Sequence, residues 1–148
     1  MPFPERILLA TDGSTSATLA GRRVAQLAAS TGAEVHVLHV ALVSTWTTPA
    51  PLGPAQRERI LAEAHTVLAA AVLELEEAGV DVASGTVRTG RATEQILLRR
   101  GELEADLVVI GHRGQNALTR ALLGNDAEQV VRHAPCAVLV VRDEEGRR

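Results

Sequence analysis

The sequence predicts an α/β fold in which helices cover both faces of one doubly wound sheet of five parallel strands, in the order 3-2-1-4-5. Two observations point to this class. Five short apolar runs alternate with four segments of helical periodicity, and the fourth run, DLVVIG (Asp106–Gly111), is almost continuously apolar, as in a strand buried on both faces. Right-handed crossovers then leave few topologies, of which this order is one of the two common ones.

The first strand and the first helix are separated by a turn signal. The strand is predicted over RILLAT (Arg6–Thr11), after which the residues DGS favour a turn. The helix shows apolar residues at positions i, i+4, i+7 and i+8, namely Ala20, Val24, Leu27 and Ala28. Ser14 or Ser16 could cap its start, and Gly32 stands where a helix typically ends.

The second strand is a valine-rich run, EVHVLHV (Glu34–Val40). The proline-rich segment that follows, Leu42–Pro54, has no periodicity and is predicted to be a loop. A long helix is predicted from Ala55, with Gly79 just beyond its end. Its predicted buried face consists of Ile60, Ala64, Val67, Ala71 and Leu75.

The second half of the chain supplies three strands and two shorter helices. The segment VDVASGTVRT (Val80–Thr89) suits the edge of the sheet, because Gly85 and the polar residues would be poorly placed at its centre. After it we expect a helix over Arg91–Arg100, the buried strand Asp106–Gly111, a helix from Asp126 to about His133, and a last strand over Ala137–Val141.

The bulk composition predicts one soluble domain. With 148 residues, 46% of them hydrophobic, the chain can bury its own core, so we predict one domain over residues 1–148, with a core from about 5 to 142 and a frayed tail over 143–148. The net charge of −3 argues against nucleic acid as a partner. The single cysteine suits a reducing compartment, and the N-terminal apolar run is too short for a signal peptide or a membrane span. We therefore expect a cytoplasmic location and no membrane partner.

The predicted strand order brings two loops together. Strands 1 and 4 are neighbours where the winding of the sheet reverses, and ligands of such folds bind in the crevice beside the loops after those strands. One loop is Thr11–Ser14, and the other, Gly111–Asp126, carries the spacing Gly111-x2-Gly114-x9-Gly124. This is neither the dinucleotide pattern nor the lysine-containing phosphate loop. Glycine lets a ligand approach the backbone, and the helix after Gly124 offers unpaired N–H groups, so the loop either binds phosphate or only turns sharply.

Four segments carry a resemblance to a known family. They read ILLATDGS, HVLHV, ADLVVIGHRG and LLGNDAEQVVRHAPCAVLVVR. Together they make the chain similar to the universal stress protein family over Arg6–Arg142. Members that bind nucleotide carry G-x2-G-x9-G followed by Ser or Thr. The three glycines match, but Asn125 stands at the Ser/Thr position, and Asp126 follows where a small apolar residue is usual.

The resemblance implies a stress-response regulator that binds ATP, which could come with Mg²⁺, in the crevice. No other metal is expected, because a chain with one cysteine offers little for a metal cluster to build on. Asp12 would lie at the ribose or adenine, and Val40 at the base. Gly111 would line the ribose, whereas Asn125 and the later loop glycines would hold the phosphates through their N–H groups. The full implied set is Ala10, Thr11, Asp12, Val40, Ile110, Gly111, Arg113, Gly114, Gly124, Asn125 and Asp126.

The resemblance also implies a homodimer formed through the last strand, as is typical of the family. The implied interface residues are Ala137, Val138, Leu139, Val140 and Val141. In a monomer this strand would be an exposed apolar edge, so pairing with a second copy would cover it.

The pair Asn125-Asp126 leaves open whether the crevice binds a nucleotide at all. A carboxylate ~5 Å from a phosphate charge costs on the order of 3 kcal/mol at an effective dielectric constant of 20. Either residue could instead cap the helix and fill the anion site from within. Asp126 could also point to solvent or hold a Mg²⁺ that bridges to the phosphates, and Arg113 and Arg120 could offset its charge. The alternative function is therefore a nucleotide-free dimeric adaptor.

An enzyme is a third alternative. Asp12 could act as an acid, although its position favours a turn or a ligand contact. Ser14 and Ser16 could be nucleophiles, but no His–acid pair is identifiable from the sequence to activate them, and helix capping is favoured. No base that would position water is identified, so the sequence predicts at most very slow ATP hydrolysis and no catalytic residue.

The histidines and the cysteine are interpreted as structural. His36 and His39 lie three apart in a strand, so their side chains should face opposite sides. His112 is predicted to be a solvated loop residue, and His133 to complement a helix dipole. Cys136 is predicted to be a small buried hydrophobe.

Overall fold

The structure, a computed structural model, describes residues 2–41, 53–113 and 124–143. Within these ranges five strands alternate with four helices: β1 (Arg6–Ala10), α1 (Thr15–Thr31), β2 (Glu34–Ala41), α2 (Pro54–Glu77), β3 (Val82–Thr89), α3 (Ala92–Leu103), β4 (Leu107–Gly111), α4 (Asn125–His133) and β5 (Ala137–Val141). No helix in these ranges combines the length and apolarity needed to cross a membrane. Gly114, Arg120 and nearly all of the predicted loop Leu42–Pro54 lie outside the described residues.

The five strands form one parallel sheet in the order β3-β2-β1-β4-β5, which confirms the predicted fold class and strand order. In the central strand β1, Ile7 pairs with Val35 of β2 on one side and with Leu107 of β4 on the other. β3 lies at one edge, as its glycine and polar residues predicted, and β5 forms the other. The winding reverses between β1 and β4, so the C-terminal ends of these two strands lie side by side.

Alternate side chains of the central strands fill two apolar layers. The layer beneath α1 and α2 contains Leu9, Val24 and Leu75. The layer beneath α3 and α4 contains Leu8 and Ile96. Because successive side chains of a strand point to opposite faces, β1 contributes to both layers. Helices therefore cover both faces of the sheet, as predicted.

Residues suited to helix ends bound α1. Ser14 is the N-cap, and its hydroxyl oxygen accepts a hydrogen bond from the Ala17 N–H at 3.2 Å. Gly32 closes the helix in the left-handed region, with φ of 73°, and its N–H donates to the Ala28 carbonyl. The other candidate cap, Ser16, lies inside the first turn and is buried, so it does not cap the helix.

Tertiary contacts shift several predicted details. On α2 the buried position is Leu68 rather than the predicted Val67, because Gly85 of β3 carries no side chain and Leu68 fills the space beside it. α3 continues through Gly101 to Leu103 instead of ending at Arg100. Local periodicity alone could not show either difference, since both depend on the surface that each helix meets.

Asp106 joins the beginnings of the two central strands. Its carboxylate accepts hydrogen bonds from the backbone N–H groups of Glu5, at 2.8 Å, and Arg6, at 2.9 Å. Burial raises the pKa of Asp106, but these hydrogen bonds and the charge of Arg6 outweigh that effect and lower the pKa overall. The carboxylate therefore stays charged and fixes β1 against β4 at the end opposite the crevice.

The contact between β4 and α1 gives a testable prediction. A Cβ atom added at Gly111 would lie 2.7 Å from the Ser16 carbonyl carbon, so α1 would have to shift. We expect Gly111→Ala to lower the free energy of unfolding by about 1–3 kcal/mol in chemical denaturation. As a control, Gly101→Ala in α3 adds a methyl group to open space and should be stabilising by up to about 1 kcal/mol. Equal stability of Gly111→Ala and the wild type would contradict this packing.

Candidate functional site

A cavity of about 370 Å³ opens at the C-terminal ends of β1 and β4. It lies where the strand winding reverses, which is where ligands of doubly wound sheets bind. Of the eleven residues implied to contact nucleotide, ten line this cavity, and the eleventh, Gly114, lies outside the described residues. The fold thus brings together residues far apart in sequence, although their role in binding stays a prediction.

Seven further residues line the cavity that were not among the implied nucleotide contacts, although Ser14 belongs to the predicted crevice loop: Ser14, Ala17, Leu38, His39, Ala92, Ile96 and Ala127. Ser14 and Ala17 begin the helix after β1, and Ala92 and Ile96 belong to the first turns of α3. A general signal could have found them, because helices that follow parallel strands begin at the same edge of the sheet as the crevice.

The loop after β1 forms one wall through its own hydrogen bonds. The Asp12 carboxylate accepts from the Ser14 N–H at 2.9 Å, and the Thr11 hydroxyl oxygen accepts from the Gly13 N–H at 3.3 Å. Gly13 has φ of 78°, which glycine adopts without strain. Asp12 is therefore a turn residue and also a cavity-lining residue, so the two interpretations of it do not exclude each other.

Ser14 connects the two loops of the crevice. Besides capping α1, its hydroxyl donates to the Arg113 carbonyl at 3.4 Å. This cross-link sets the spacing between the loop after β1 and the loop after β4. A hydroxyl occupied by both roles is a structural group rather than a free nucleophile.

The inner end of the cavity is mainly apolar. Side chains from β1, β2, β4 and α3 surround it: Ala10, Leu38, Val40, Ile96 and Ile110. His39 lines the same space, and its Nδ1 lies 2.7 Å from the Thr11 carbonyl oxygen. Because a carbonyl only accepts, Nδ1 carries the proton in this contact. An apolar slot with a few polar groups at its rim suits a flat heterocyclic base.

The N-terminus of α4 forms the opposite, polar end of the crevice. Gly124 is the N-cap, and its own N–H donates to the His112 carbonyl at 2.6 Å. The first intrahelical bond runs from Glu128 to the Gly124 carbonyl. The helix therefore does not use the N–H groups of residues 125–127, and these carry the positive end of its dipole. This arrangement suits an anion.

The expectation that Asn125 or Asp126 caps α4 from within is wrong. The N-cap position belongs to Gly124, which has no side chain to offer, and the two residues occupy the first turn. The Asp126 carboxylate instead accepts a hydrogen bond from the Thr93 hydroxyl, at the start of α3, at 3.3 Å. In the part of the chain that the structure describes, no side chain of this pair fills the anion site.

Arg113 is held by an acidic partner from the end of the chain. Its guanidinium pairs with the carboxylate of Asp143, whose side chain is only 6% exposed. Asp143 is the first residue of the predicted frayed tail, and its side chain is held by this ion pair. Because the charge of Arg113 is already balanced, it offsets an incoming phosphate less than the sequence suggested.

His112 is buried, which contradicts its predicted role as a solvated loop residue. It is 2% exposed, and its backbone N–H donates to the Val141 carbonyl. The Nδ1 of its ring lies 3.2 Å from the Ser16 hydroxyl. Burial lowers the pKa of His112; nearby Asp143 opposes this effect, while Arg113 adds to it. The ring is therefore mainly neutral at pH 7. The prediction failed because the residue directly follows β4, so its backbone pairs with the end of β5 and its ring contacts α1.

Ser16, His112 and Asp143 follow one another like the groups of a hydrolase triad. The His112 Nε2 lies 4.0 Å from the Asp143 carboxylate, beyond hydrogen-bond distance. Ser16 is 2% exposed and is not among the described residues that line the cavity. Since its hydroxyl is buried and lies outside the described lining of the cavity, the arrangement is a buried polar network rather than a nucleophile with its base.

The other histidines and the cysteine have local partners. His36 contacts the Ser84 hydroxyl at 2.6 Å, whereas His39 faces the cavity, so the two do not pair, as predicted. His133, in the last turn of α4, contacts Gln129. Burial raises the pKa of the Cys136 thiol, which disfavours thiolate chemistry. Among residues 2–41, 53–113 and 124–143, no group of three His, Cys, Asp or Glu side chains could hold a metal ion.

A family model and a related protein both point to the same family. The sequence model of the universal stress protein family matches residues 4–142. A putative universal stress protein of Staphylococcus aureus (strain USA300) is 32% identical over 142 residues, which cover 95% of this chain and 86% of that protein.

Two solved structures show the same fold. One is a hypothetical protein used as a structural-genomics test case for assigning biochemical function. It is 25% identical, with a TM-score of 0.83, and the match covers 96% of this chain and 98% of that one. The other is a universal stress protein from Archaeoglobus fulgidus in complex with dAMP. It is 22% identical, with a TM-score of 0.69, and the match covers 96% and 100% of the two chains.

The buried His112 predicts a pH dependence of stability. Its pKa in the folded protein lies below the ordinary value, so the unfolded chain binds the proton more readily. Stability should therefore fall as the pH drops below about 6.5, by at most about 1.4 kcal/mol per pH unit. We expect His112→Gln to reduce this slope between pH 7 and 5 in urea denaturation series. His133→Gln, at an exposed site, should leave it unchanged, and an unaltered slope in His112→Gln would refute the assignment.

Proposed function

We propose that this chain, which belongs to the universal stress protein family, binds an adenine nucleotide in the crevice between the loops after β1 and β4 and acts as a homodimeric stress-response regulator in the cytoplasm. The observation that carries the proposal is the combination of an apolar slot and an open helix N-terminus in one cavity. A nucleotide has matching parts, a flat base and an anionic phosphate.

The apolar end of the cavity supports the placement of the base. Val40 and Ile110 offer aliphatic surface at the ends of β2 and β4, and Ile96 closes the slot from α3. Asp12, at the rim, would meet the ribose or the polar edge of the adenine. Burial of a flat base against aliphatic side chains supplies affinity, and the rim groups supply orientation.

The polar end supports the placement of a phosphate. The unused N–H groups of residues 125–127 and the helix dipole suit one anionic group, and Gly111 lets a ligand approach β4 closely. The Archaeoglobus fulgidus protein with the same fold holds dAMP, an adenine nucleotide, which further supports this ligand class. The resemblance in sequence implies ATP with Mg²⁺ as one such ligand, and the charges at this end of the cavity decide which adenine nucleotide is preferred.

A nucleotide-free dimeric adaptor is the second candidate. The observation in its favour is the charge of the crevice, since Asp126 lies at the phosphate end and Arg113 is already paired with Asp143. Catalysis forms no part of either candidate. The described serine and histidine network is buried away from the cavity, and Asp12 is engaged in its turn.

The edge strand β5 supports the proposed homodimer. Among the described strands β5 pairs only with β4, and its other side presents backbone N–H and carbonyl groups beside apolar side chains. Leu139, for example, is 36% exposed. A second copy of the same strand would satisfy these groups and bury the apolar residues.

Nucleotide binding can be tested on purified protein. Denaturation should release an adenine nucleotide, or added nucleotide at one hundred times its Kd should stabilise the folded state by about 2.7 kcal/mol, visible as a raised Tm. Asp12→Asn keeps the acceptor for the Ser14 N–H but removes the charge, and we expect it to weaken binding by about tenfold. The exposed Asp81→Asn is the matched control. No released nucleotide and no shift at millimolar concentrations would favour the adaptor.

The dimer can be tested by one substitution on β5. Leu139→Lys would place a charge in the apolar contact between the two copies, and we expect monomers at micromolar concentration in sedimentation-velocity experiments. The control is Leu73→Lys on α2, where the wild-type side chain is 54% exposed. Dimers that survive Leu139→Lys would show that a different surface forms the interface.

A further inference from the structure

We propose that Asp126 makes the crevice selective for an adenine nucleotide with a single phosphoryl group and disfavours the triphosphate. This inference rests on the proposed function and deepens it, because it names the ligand class of the same site. It follows from the charges around the polar end of the cavity and from the way in which Asp126 is held there.

The position of Asp126 couples its carboxylate to any bound phosphate. Asp126 is the second residue of α4, so its own N–H is one of the groups that the helix leaves unused. A phosphate that accepts from this N–H lies within roughly 8 Å of the same residue's carboxylate, because only three covalent bonds separate the amide nitrogen from the carboxylate carbon. The hydrogen bond from Thr93 restrains the carboxylate beside the helix terminus.

The described part of the cavity has little positive charge to offset this carboxylate. Among the described lining residues the charged side chains are Asp12, Asp126 and Arg113. Arg113, the single basic group of this set, pairs with Asp143, which is buried. Among the described residues the remaining attraction comes from the α4 dipole, about half an elementary charge, which is smaller than the charge of one phosphate group and far smaller than that of three.

The charge of Asp126 should therefore distinguish nucleotides by the number of phosphate groups they carry. Each added phosphoryl group brings further negative charge toward the carboxylate, while the described N–H groups at the start of α4 are limited to those of residues 125–127. For partly solvated charges at such distances we expect a penalty of roughly tenfold in affinity. Adenosine, which is uncharged, should not respond to Asp126 at all.

The test is isothermal titration calorimetry of nucleotide-free protein with AMP, ATP and adenosine, in EDTA and again with Mg²⁺. The wild type should bind AMP more tightly than ATP by roughly tenfold. Asp126→Asn should tighten ATP by a similar factor and leave adenosine within about twofold. Glu128→Gln is the matched control, because Glu128 is also an exposed acidic residue of the first turn of α4 but does not line the cavity among the described residues.

The outcomes separate this inference from the proposed function. If AMP, ATP and adenosine all fail to bind, both are wrong. If ATP binds at least as tightly as AMP in EDTA, or if Asp126→Asn leaves the ratio of the two unchanged, nucleotide binding stands and the selectivity is wrong. If Mg²⁺ reverses the preference and Asp126→Asn abolishes that reversal, Asp126 is a metal-dependent ATP contact and the selectivity is likewise overturned.

Discussion

The backbone and ring of His112 hold the crevice in shape. Its N–H donates to the carbonyl of Val141 at the end of β5, its carbonyl accepts from the N–H of Gly124, and its ring contacts Ser16 of α1. One buried residue thus connects β4 to an edge strand, to the helix over one face of the sheet and to the cap of the helix at the polar end. The direction of α4, and with it the placement of its unused N–H groups, depends on these bonds.

This arrangement needs a small neighbour and a neutral ring. Gly111, one residue earlier, lets α1 pack directly on β4, which brings Ser16 within reach of the imidazole. Burial then favours the uncharged form of the ring. One ring nitrogen contacts the Ser16 hydroxyl, and the other lies 4.0 Å from the Asp143 carboxylate. Two adjacent residues at the end of β4 therefore determine the packing of the sheet on α1 and the geometry of the crevice.

The charged groups of the crevice oppose one another at its polar end. The helix terminus and the glycine-lined strand end suit an anion, but the described cationic group is balanced by Asp143, and Asp126 adds an opposing carboxylate. Membership of the universal stress protein family is consistent with the observed fold. The ligand class that we propose depends on the few residues in which this chain departs from the nucleotide-binding pattern, because those residues alter the electrostatics and leave the scaffold intact.

The sequence by itself determined the strand order, the edge position of β3 and the two loops that meet at the crevice, because periodicity and the position of loops after strands are local properties. Ten of the residues that line the crevice were predicted only through the resemblance to a known family. Only the tertiary structure decided that His112 is buried, that Asp143 pairs with Arg113, and that Asp126 meets Thr93 instead of capping its own helix. Each of these contacts joins residues on different elements. Their chemistry is set by burial and by partners that local patterns in the sequence do not contain.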